Sequence, residues 1–176
     1  MTDTADSAHS FAQEAAAPAS PRHGGADFNF LFGAWTVHNR RLVHPLTNSQ
    51  EWEEFQATSF VRPLWNGRGH LEEWDAITPR GPINAVSLHL YDASARQWRL
   101  HWATGADGRV GVPTVGSFAN GLGIFFAQEQ YAGRSILLRI TWQDWAADCC
   151  RWEQSFSTDG GASWERNWTM DFTRTI

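Results

Sequence analysis

The feature that most constrains the fold of this chain is a series of short segments in which apolar and polar residues alternate, with 11 tryptophans among 176 residues. Alternation with a period of two is typical of β-strands that bury one face. A sheet that is open to water on one side needs little indole, whereas a closed barrel with an aromatic-lined interior would use it. The pattern therefore predicts a barrel with an internal cavity.

Turn-forming sequences such as Asn66-Gly67, Asn120-Gly121 and Asp159-Gly160-Gly161 separate the alternating segments. None of the segments shows a sustained helical period. Strands are predicted at about 31–43, 51–63, 69–78, 84–91, 96–103, 112–119, 122–130, 134–143, 149–157 and 163–173. Ten short strands joined by hairpins favour an all-β, antiparallel up-and-down meander, which removes its exposed edges by closing into a barrel.

The first 26 residues differ in composition from the rest of the chain. They are rich in Ala, Ser, Pro and Asp and contain few residues that could form a core. We therefore expect residues 1–26 to form a disordered or weakly helical N-terminal tail. Residues 27–176 are expected to form one barrel domain, which is long enough to bury a core of its own.

Charge and hydropathy exclude several classes of partner. The net charge is −5 and there is no run of basic residues, so a nucleic-acid-binding surface is not expected. No segment has the apolar length needed to span a membrane. The first ten residues, MTDTADSAHS, lack the apolar stretch of a secretory signal. These observations predict a cytoplasmic protein.

Motifs that bind cofactors or metals are missing from the sequence. All 14 basic side chains other than histidine are arginines, so a Schiff-base or P-loop lysine is excluded. Cys149 and Cys150 are adjacent, and neighbours on a strand point to opposite faces, so they are not expected to bind one metal together. CxxC, HExxH, GxSxG and GxGxxG do not occur. We therefore predict no cofactor and no metal.

Three segments carry a resemblance to a known family: Phe28–Leu42 with its Gly33-Ala34-Trp35 motif, Tyr91–Trp98 and Trp152–Trp168. Together they resemble a family of bacterial lipocalin-like domains, of the calycin type, that has no general assigned reaction. The resemblance implies a barrel whose closed end is plugged from inside by Trp35. This chain departs from the family at Asn39, where the family often carries a histidine, and that departure weakens any histidine-based role at this position.

The orientation of the first strand follows from that tryptophan. If Trp35 points inward, alternation carries Val37, Asn39 and Arg41 inward as well. An arginine inside an apolar barrel must be paired with an acid or bind an anion. The sequence leaves two alternatives open, namely a structural ion pair with Glu54 or Glu72 and a contact with a ligand.

Histidines and a glutamate supply candidates for proton transfer. His70, Glu72 and Trp74 share one face of the third predicted strand, and a His and a Glu on one face can move a proton between them. Whether that face is inside the barrel or in water is left open. His89 and His101 lie on the next two strands, which leaves a three-histidine metal site and a haem site as minor alternatives.

We interpret the chain as a cofactor-free enzyme of the cyclase, isomerase or dehydratase type. Its substrate would be a hydrophobic aromatic or polyketide-like molecule of specialised metabolism, held in the barrel. The fold-level part of this interpretation is an analogy with other lipocalin-like barrels. The alternative is a small-molecule carrier or sensor that uses the same cavity without chemistry.

Residues are assigned to this hypothesis by type and predicted face. The candidate catalytic residues are Arg41, to stabilise an enolate, and His70 and Glu72, to move a proton. The candidate substrate-binding residues are Trp35, Asn39, Trp74, His89, Trp102, Arg139, Trp152, Gln154 and Trp168. A homodimer through Trp65 and Trp145 near strand ends is a further prediction.

Overall fold

The computed structural model describes residues 24–175 and shows ten antiparallel strands that close into a barrel, each strand pairing with its neighbours in the chain. The strands are β1 Gly33–Leu42, β2 Trp52–Leu64, β3 Gly69–Thr78, β4 Gly81–Asp92, β5 Gln97–Thr104, β6 Thr114–Ala119, β7 Leu122–Tyr131, β8 Arg134–Gln143, β9 Cys149–Ser157 and β10 Glu165–Arg174. The predicted all-β meander barrel is confirmed, and the strand ends differ from the predicted ones by at most three residues.

Three short 3₁₀ helices complete the described elements, at Gly24–Ala26, Asn29–Leu31 and Trp65–Gly67. No helix within residues 24–175 is long and apolar enough to cross a lipid bilayer. Residues 1–23, which make up most of the predicted tail, lie outside the described residues.

Closure of the barrel is made by β1 and β10, the first and last strands. Val37 pairs with Phe172 and Arg41 with Trp168 in this antiparallel register. The Nε1–H of Trp168 donates a hydrogen bond of 3.0 Å to Oδ1 of Asn39 across the two strands. Pairing of the first strand with the last closes the sheet on itself, as the meander pattern predicts.

Alternation along the strands sorts side chains between the interior and water. Trp35, Val37 and Asn39 on β1 are buried, whereas the residues between them are exposed. On β3, Glu72 and Trp74 are buried as well. The face of β3 that the sequence left open is therefore the inner face of the barrel.

One end of the barrel is closed by the segment that precedes β1. Phe28 is completely buried there, with its ring centroid 4.7 Å from Phe118, 4.9 Å from His89 and 5.0 Å from Trp98. The Nε1–H of Trp98 reaches the carbonyl oxygen of Gly24 at 3.0 Å. We refer to Gly24–Phe32 as the plug.

The Gly33-Ala34-Trp35 motif joins the plug to β1. Trp35 is buried, and its Nε1–H donates to the carbonyl oxygen of Leu31 at 2.7 Å. The guanidinium of Arg174 lies over its ring at 4.1 Å. Gly33 has a φ of 112°, and a Cβ there would lie 2.9 Å from Arg174, so the turn into β1 requires glycine. The closed-end position expected for this tryptophan is confirmed.

The opposite end of the barrel, which we call the mouth, is formed by the loops 43–51, 79–80, 105–113, 132–133 and 158–164. Pairing between β5 and β6 is short and stops before the mouth, because only Trp98–Leu100 of β5 pair with Thr114–Gly116 of β6. Past Leu100, β5 continues without pairing to β6, and Ala103 forms a bridge to Val110 of its own loop. The ladder between β5 and β6 is therefore interrupted beside the mouth.

We expect Phe28→Ala to lower the free energy of unfolding by about 3–5 kcal/mol, because removing a buried ring among other rings leaves a cavity. Urea denaturation of the purified protein measures this loss. Phe60→Ala is the matched control, since the Phe60 side chain is exposed, and its cost should stay below about 1 kcal/mol. Similar costs for both variants would show that the plug is not part of the core.

Candidate functional site

A cavity of about 180 Å³, which we call the main cavity, lies inside the barrel between the plug and the mouth. Its wall is largely aromatic and contains the tryptophans Trp74, Trp102, Trp142, Trp152 and Trp168. Trp74 meets Trp102 at a centroid distance of 5.8 Å, and Trp152 meets Trp168 at 5.6 Å, both edge to face. The edge-to-face packing holds the indoles in fixed positions and presents flat apolar surfaces to the cavity.

Three buried donors on this wall have no hydrogen-bond partner within the described residues. They are the indole N–H groups of Trp74 and Trp142 and the hydroxyl of Thr114. A buried polar group without a partner costs roughly 1–3 kcal/mol. An acceptor oxygen on a ligand in the cavity would remove that cost, so these donors favour a ligand that carries oxygen.

Glu72 is the most deeply buried acid on the cavity wall. Oε1 of its carboxyl accepts a hydrogen bond of 2.7 Å from the Ser59 hydroxyl. Burial raises the pKa of Glu72 above its ordinary value, and hydrogen bonds from Ser59 and Ser87 offset only part of that rise. Because burial favours the neutral form, Glu72 can serve as a proton donor to a ligand.

Glu129 on β7 is a second acid on the same wall, and the sequence interpretation missed it. It follows Phe125 and Ala127 at intervals of two, and both of these are buried. Burial raises the pKa of Glu129 too, although this side chain is less deeply enclosed than Glu72. The period of two along β7 was the signal that could have identified it.

His70 and His89 form a buried pair at the junction of the plug and the cavity. Nε2 of His70 lies 2.6 Å from Nδ1 of His89, so one nitrogen donates and the other accepts. Burial lowers the pKa of His70 to about 3, and burial together with the nearby His70 and His101 lowers the pKa of His89 well below its ordinary value. Both rings are therefore neutral near pH 7.

The predicted catalytic residues are brought together only in part. Glu72 and His89 line the cavity, whereas His70 is not among the residues of its wall. The predicted proton-transfer pair of His70 and Glu72 is not formed, since His70 bonds to His89 and Glu72 bonds to serine.

Arg41 lies at the mouth instead of on the wall of the main cavity. Its Nε donates to Oε1 of Glu53 at 2.8 Å, and its guanidinium is 5.0 Å from the ring of Trp168. The sequence predicted Glu54 or Glu72 as the partner of Arg41, and that prediction is wrong because the partner is Glu53. Arg41 and Glu53 are opposite each other in the β1–β2 register and share a face, whereas Glu54 lies outside.

The predicted substrate-binding residues occupy three different places. The cavity wall contains Trp74, His89, Trp102, Trp152, Gln154 and Trp168. Trp35 lies at the plug, and Asn39 is buried behind Trp168. Arg139 is on the outer face of β8, where its guanidinium lies 4.3 Å from the ring of Trp164, because alternation points Leu138 and Ile140 inward.

A second cavity of about 250 Å³ adjoins the first at the mouth, and the two share Gln154 and Trp168. Arg41 and Arg80 line this mouth cavity, and both are ion-paired with Glu53. Burial alone would raise the pKa of Glu53, but the hydrogen bonds and charges of Arg80 and Arg41 bring it below its ordinary value. Glu53 is therefore ionised, and the cluster of Arg41, Arg80 and Glu53 keeps one excess positive charge.

Within residues 24–175, no group of three or more His, Cys, Asp or Glu side chains could hold a metal ion. His70, His89 and His101, the minor metal alternative, therefore do not converge. Cys149 is exposed and Cys150 is buried, as expected for neighbours on a strand.

Comparison with known proteins adds information about the fold. No family model matches the chain, and no curated protein matches its sequence. Six solved chains match in structure, among them the S-type phycobiliprotein lyase of Guillardia theta, with a TM-score of 0.58 and 11% sequence identity. The match covers 85% of this chain and 91% of the lyase chain. At this identity the likeness concerns the fold alone, and it agrees with the barrel that the sequence predicts.

We expect the imidazole NMR signals of His70 and His89 to stay constant between about pH 5 and pH 8, because burial lowers the pKa of His70 to about 3 and lowers the pKa of His89 well below its ordinary value. Free histidine added to the same sample titrates across this range and serves as the internal control. A midpoint near 6.5 for either buried ring would show that the pair is open to water.

We expect Glu72→Gln to become more stable relative to the natural protein as pH rises from about 5 to 8. The raised pKa of Glu72 means that its neutral form suits the fold, so the natural protein loses stability once this acid must ionise, and glutamine does not ionise. Urea denaturation at both pH values measures the difference. Glu73→Gln, the exposed neighbour on β3, should show no such trend.

Proposed function

We propose that this protein binds an oxygen-bearing aromatic small molecule in the barrel cavity and catalyses a proton transfer on it, without a cofactor. One observation carries the proposal: a buried carboxylic acid, Glu72, faces an aromatic-walled cavity. Isomerisation, dehydration and cyclisation of aromatic or polyketide-like compounds all contain such a proton transfer. We also propose that the protein acts in the cytoplasm, in specialised metabolism.

The mechanism assigns different roles to the two acids. Glu72, held neutral by burial, donates its proton to a carbonyl oxygen of the ligand. Glu129, the less enclosed of the two acids, acts in its carboxylate form as the base and takes a proton from the carbon next to that carbonyl. The electrons of the broken C–H bond form the C=C bond of an enol, and the π electrons of the C=O bond form its O–H bond. In an enol conjugated with a second C=C bond, Glu129 returns its proton to the far carbon of that bond while the enol O–H returns its proton to Glu72. The product is an isomer with a shifted C=C bond, and both glutamates regain their starting states.

The tryptophans supply binding and orientation. Trp102 and Trp168 each pack edge to face on Trp74, so a flat ring lying against them has few orientations. Limiting the ligand to a reactive orientation lowers the entropic part of the barrier. The fold likeness to a protein that is named a lyase supports the view that barrels of this class include enzymes.

A carrier or sensor is the second candidate, and the position of Arg41 favours it. Arg41 pairs with Glu53 and does not line the main cavity, so the expected enolate-stabilising cation is not beside the ligand. The minor haem alternative would use Nε2 of His89, because the bond to His70 occupies only Nδ1.

The predicted homodimer would rest on Trp65, whose side chain is 63% exposed. Trp145 is less suited to an interface, because its ring stacks on Phe30 at a centroid distance of 5.0 Å.

We expect 2-tetralone, a bicyclic aromatic ketone, to bind in the cavity. Isothermal titration calorimetry measures the affinity. Leu138→Trp fills the cavity and should weaken binding at least about tenfold. Leu137→Trp places the same side chain on the outer face of the same strand and should leave the affinity unchanged. Equal affinities for the two variants would place the ligand outside the barrel.

Catalysis is tested by deuterium exchange at the carbon next to the carbonyl of 2-tetralone, followed by NMR in D₂O. We expect the protein to accelerate exchange and Glu72→Gln to remove about a hundredfold of that rate, while the affinity for 2-tetralone changes little. Glu73→Gln, on the outer face, should exchange like the natural protein. Binding with exchange at the buffer rate would favour the carrier.

A further inference from the structure

The hydrogen-bond donors that line the mouth cavity outnumber the acceptors beside them. Nε and one terminal nitrogen of Arg41 both contact Oε1 of Glu53, at 2.8 and 2.7 Å. Arg80 donates to the same oxygen. Three donors therefore converge on a single carboxylate oxygen, and two positive charges face one negative charge. The remaining guanidinium N–H groups are available to a second anion.

Asn167 adds a neutral donor to the same cavity. The register of β10 shifts between Arg166 and Trp168, and this bulge buries Asn167 to 1% exposure. Its Oδ1 accepts a hydrogen bond of 2.9 Å from Gln154, whereas its Nδ2 has no partner within the described residues. A buried amide donor beside two arginines is suited to an acceptor that carries negative charge.

The mouth cavity and the main cavity border on the same two residues, Gln154 and Trp168. A ligand whose rings lie against Trp168 in the main cavity is therefore close to the two arginines of the mouth cavity. Arg41 itself lies 5.0 Å from the ring of Trp168, so the charged and the aromatic parts of the two cavities meet at this residue. One molecule with a flat apolar body and an acidic end matches both.

We propose that Arg41, Arg80 and Asn167 form an anion-binding site that takes the carboxylate of an aromatic acid whose rings occupy the main cavity. This inference rests on the proposed function, because it needs the main cavity to bind the rings. It narrows the substrate class from aromatic compounds to aromatic carboxylates. Glu53 then has a defined role: it holds the two guanidinium groups in place and weakens their attraction for a free anion.

The test compares 2-naphthylacetate with 2-naphthylacetamide, which has nearly the same shape but no charge, by isothermal titration calorimetry on the full chain. We expect the acid to bind about tenfold more tightly than the amide at low salt. The preference should shrink at about 0.5 M NaCl, because salt screens the arginines at the open mouth.

Variants then locate the anion. Glu53→Gln removes the competing carboxylate and should strengthen acid binding severalfold, which a damaged fold would not do. Arg80→Gln and Asn167→Asp should each reduce acid binding about tenfold and leave amide binding unchanged. Arg62→Gln is the control. Arg62 is an exposed arginine on β2, away from the mouth cavity, and its removal changes the net charge as much as Arg80→Gln does.

The outcomes separate this inference from the proposed function. If 2-tetralone binds but the acid shows no preference over the amide, the anion site is wrong and the cavity proposal stands. If neither 2-tetralone nor the two naphthyl compounds bind, both proposals fail. If the acid is preferred but Arg62→Gln reduces that preference as much as Arg80→Gln, the attraction comes from net charge and the anion site is wrong.

Discussion

Pairing of β1 with β10 is the interaction on which the rest of this structure depends. It closes the sheet, so that the inner faces of ten strands surround one space, and it removes the last unpaired edge. The same pairing brings Trp168 beside Arg41 and into a hydrogen bond with Asn39. Because Trp168 borders both cavities, the closure that stabilises the barrel also builds the candidate site.

The two ends of the barrel are built differently, and the difference separates folding from function. At the plug, Phe28 fills the interior and contacts the neutral pair of His70 and His89, so the interior at this end is packed with rings. The wall of the main cavity keeps a buried acid, and donors on it have no partner within residues 24–175. A fold accepts such costs at a binding site, where a ligand compensates them, and packs tightly elsewhere.

The strands and their inner faces could be predicted, because a period of two is a local property of the chain. It placed Trp35 and Asn39 inside, and it would have placed Glu129 inside if acids had been followed along β7 as tryptophans were. The partner of Arg41 could not be predicted. It depends on the register between β1 and β2, which the loop between them sets and which alternation within one strand does not report.

The sequence by itself determined a closed antiparallel barrel with an aromatic interior, since strand length, turn positions and alternation are written in neighbouring residues. Tertiary structure alone decided that His70 bonds to His89, that Glu72 bonds to Ser59, and that a bulge turns Asn167 toward the mouth. These arrangements join residues on different strands. They follow from register and from local breaks in it, and a one-residue shift would exchange the inner and outer faces.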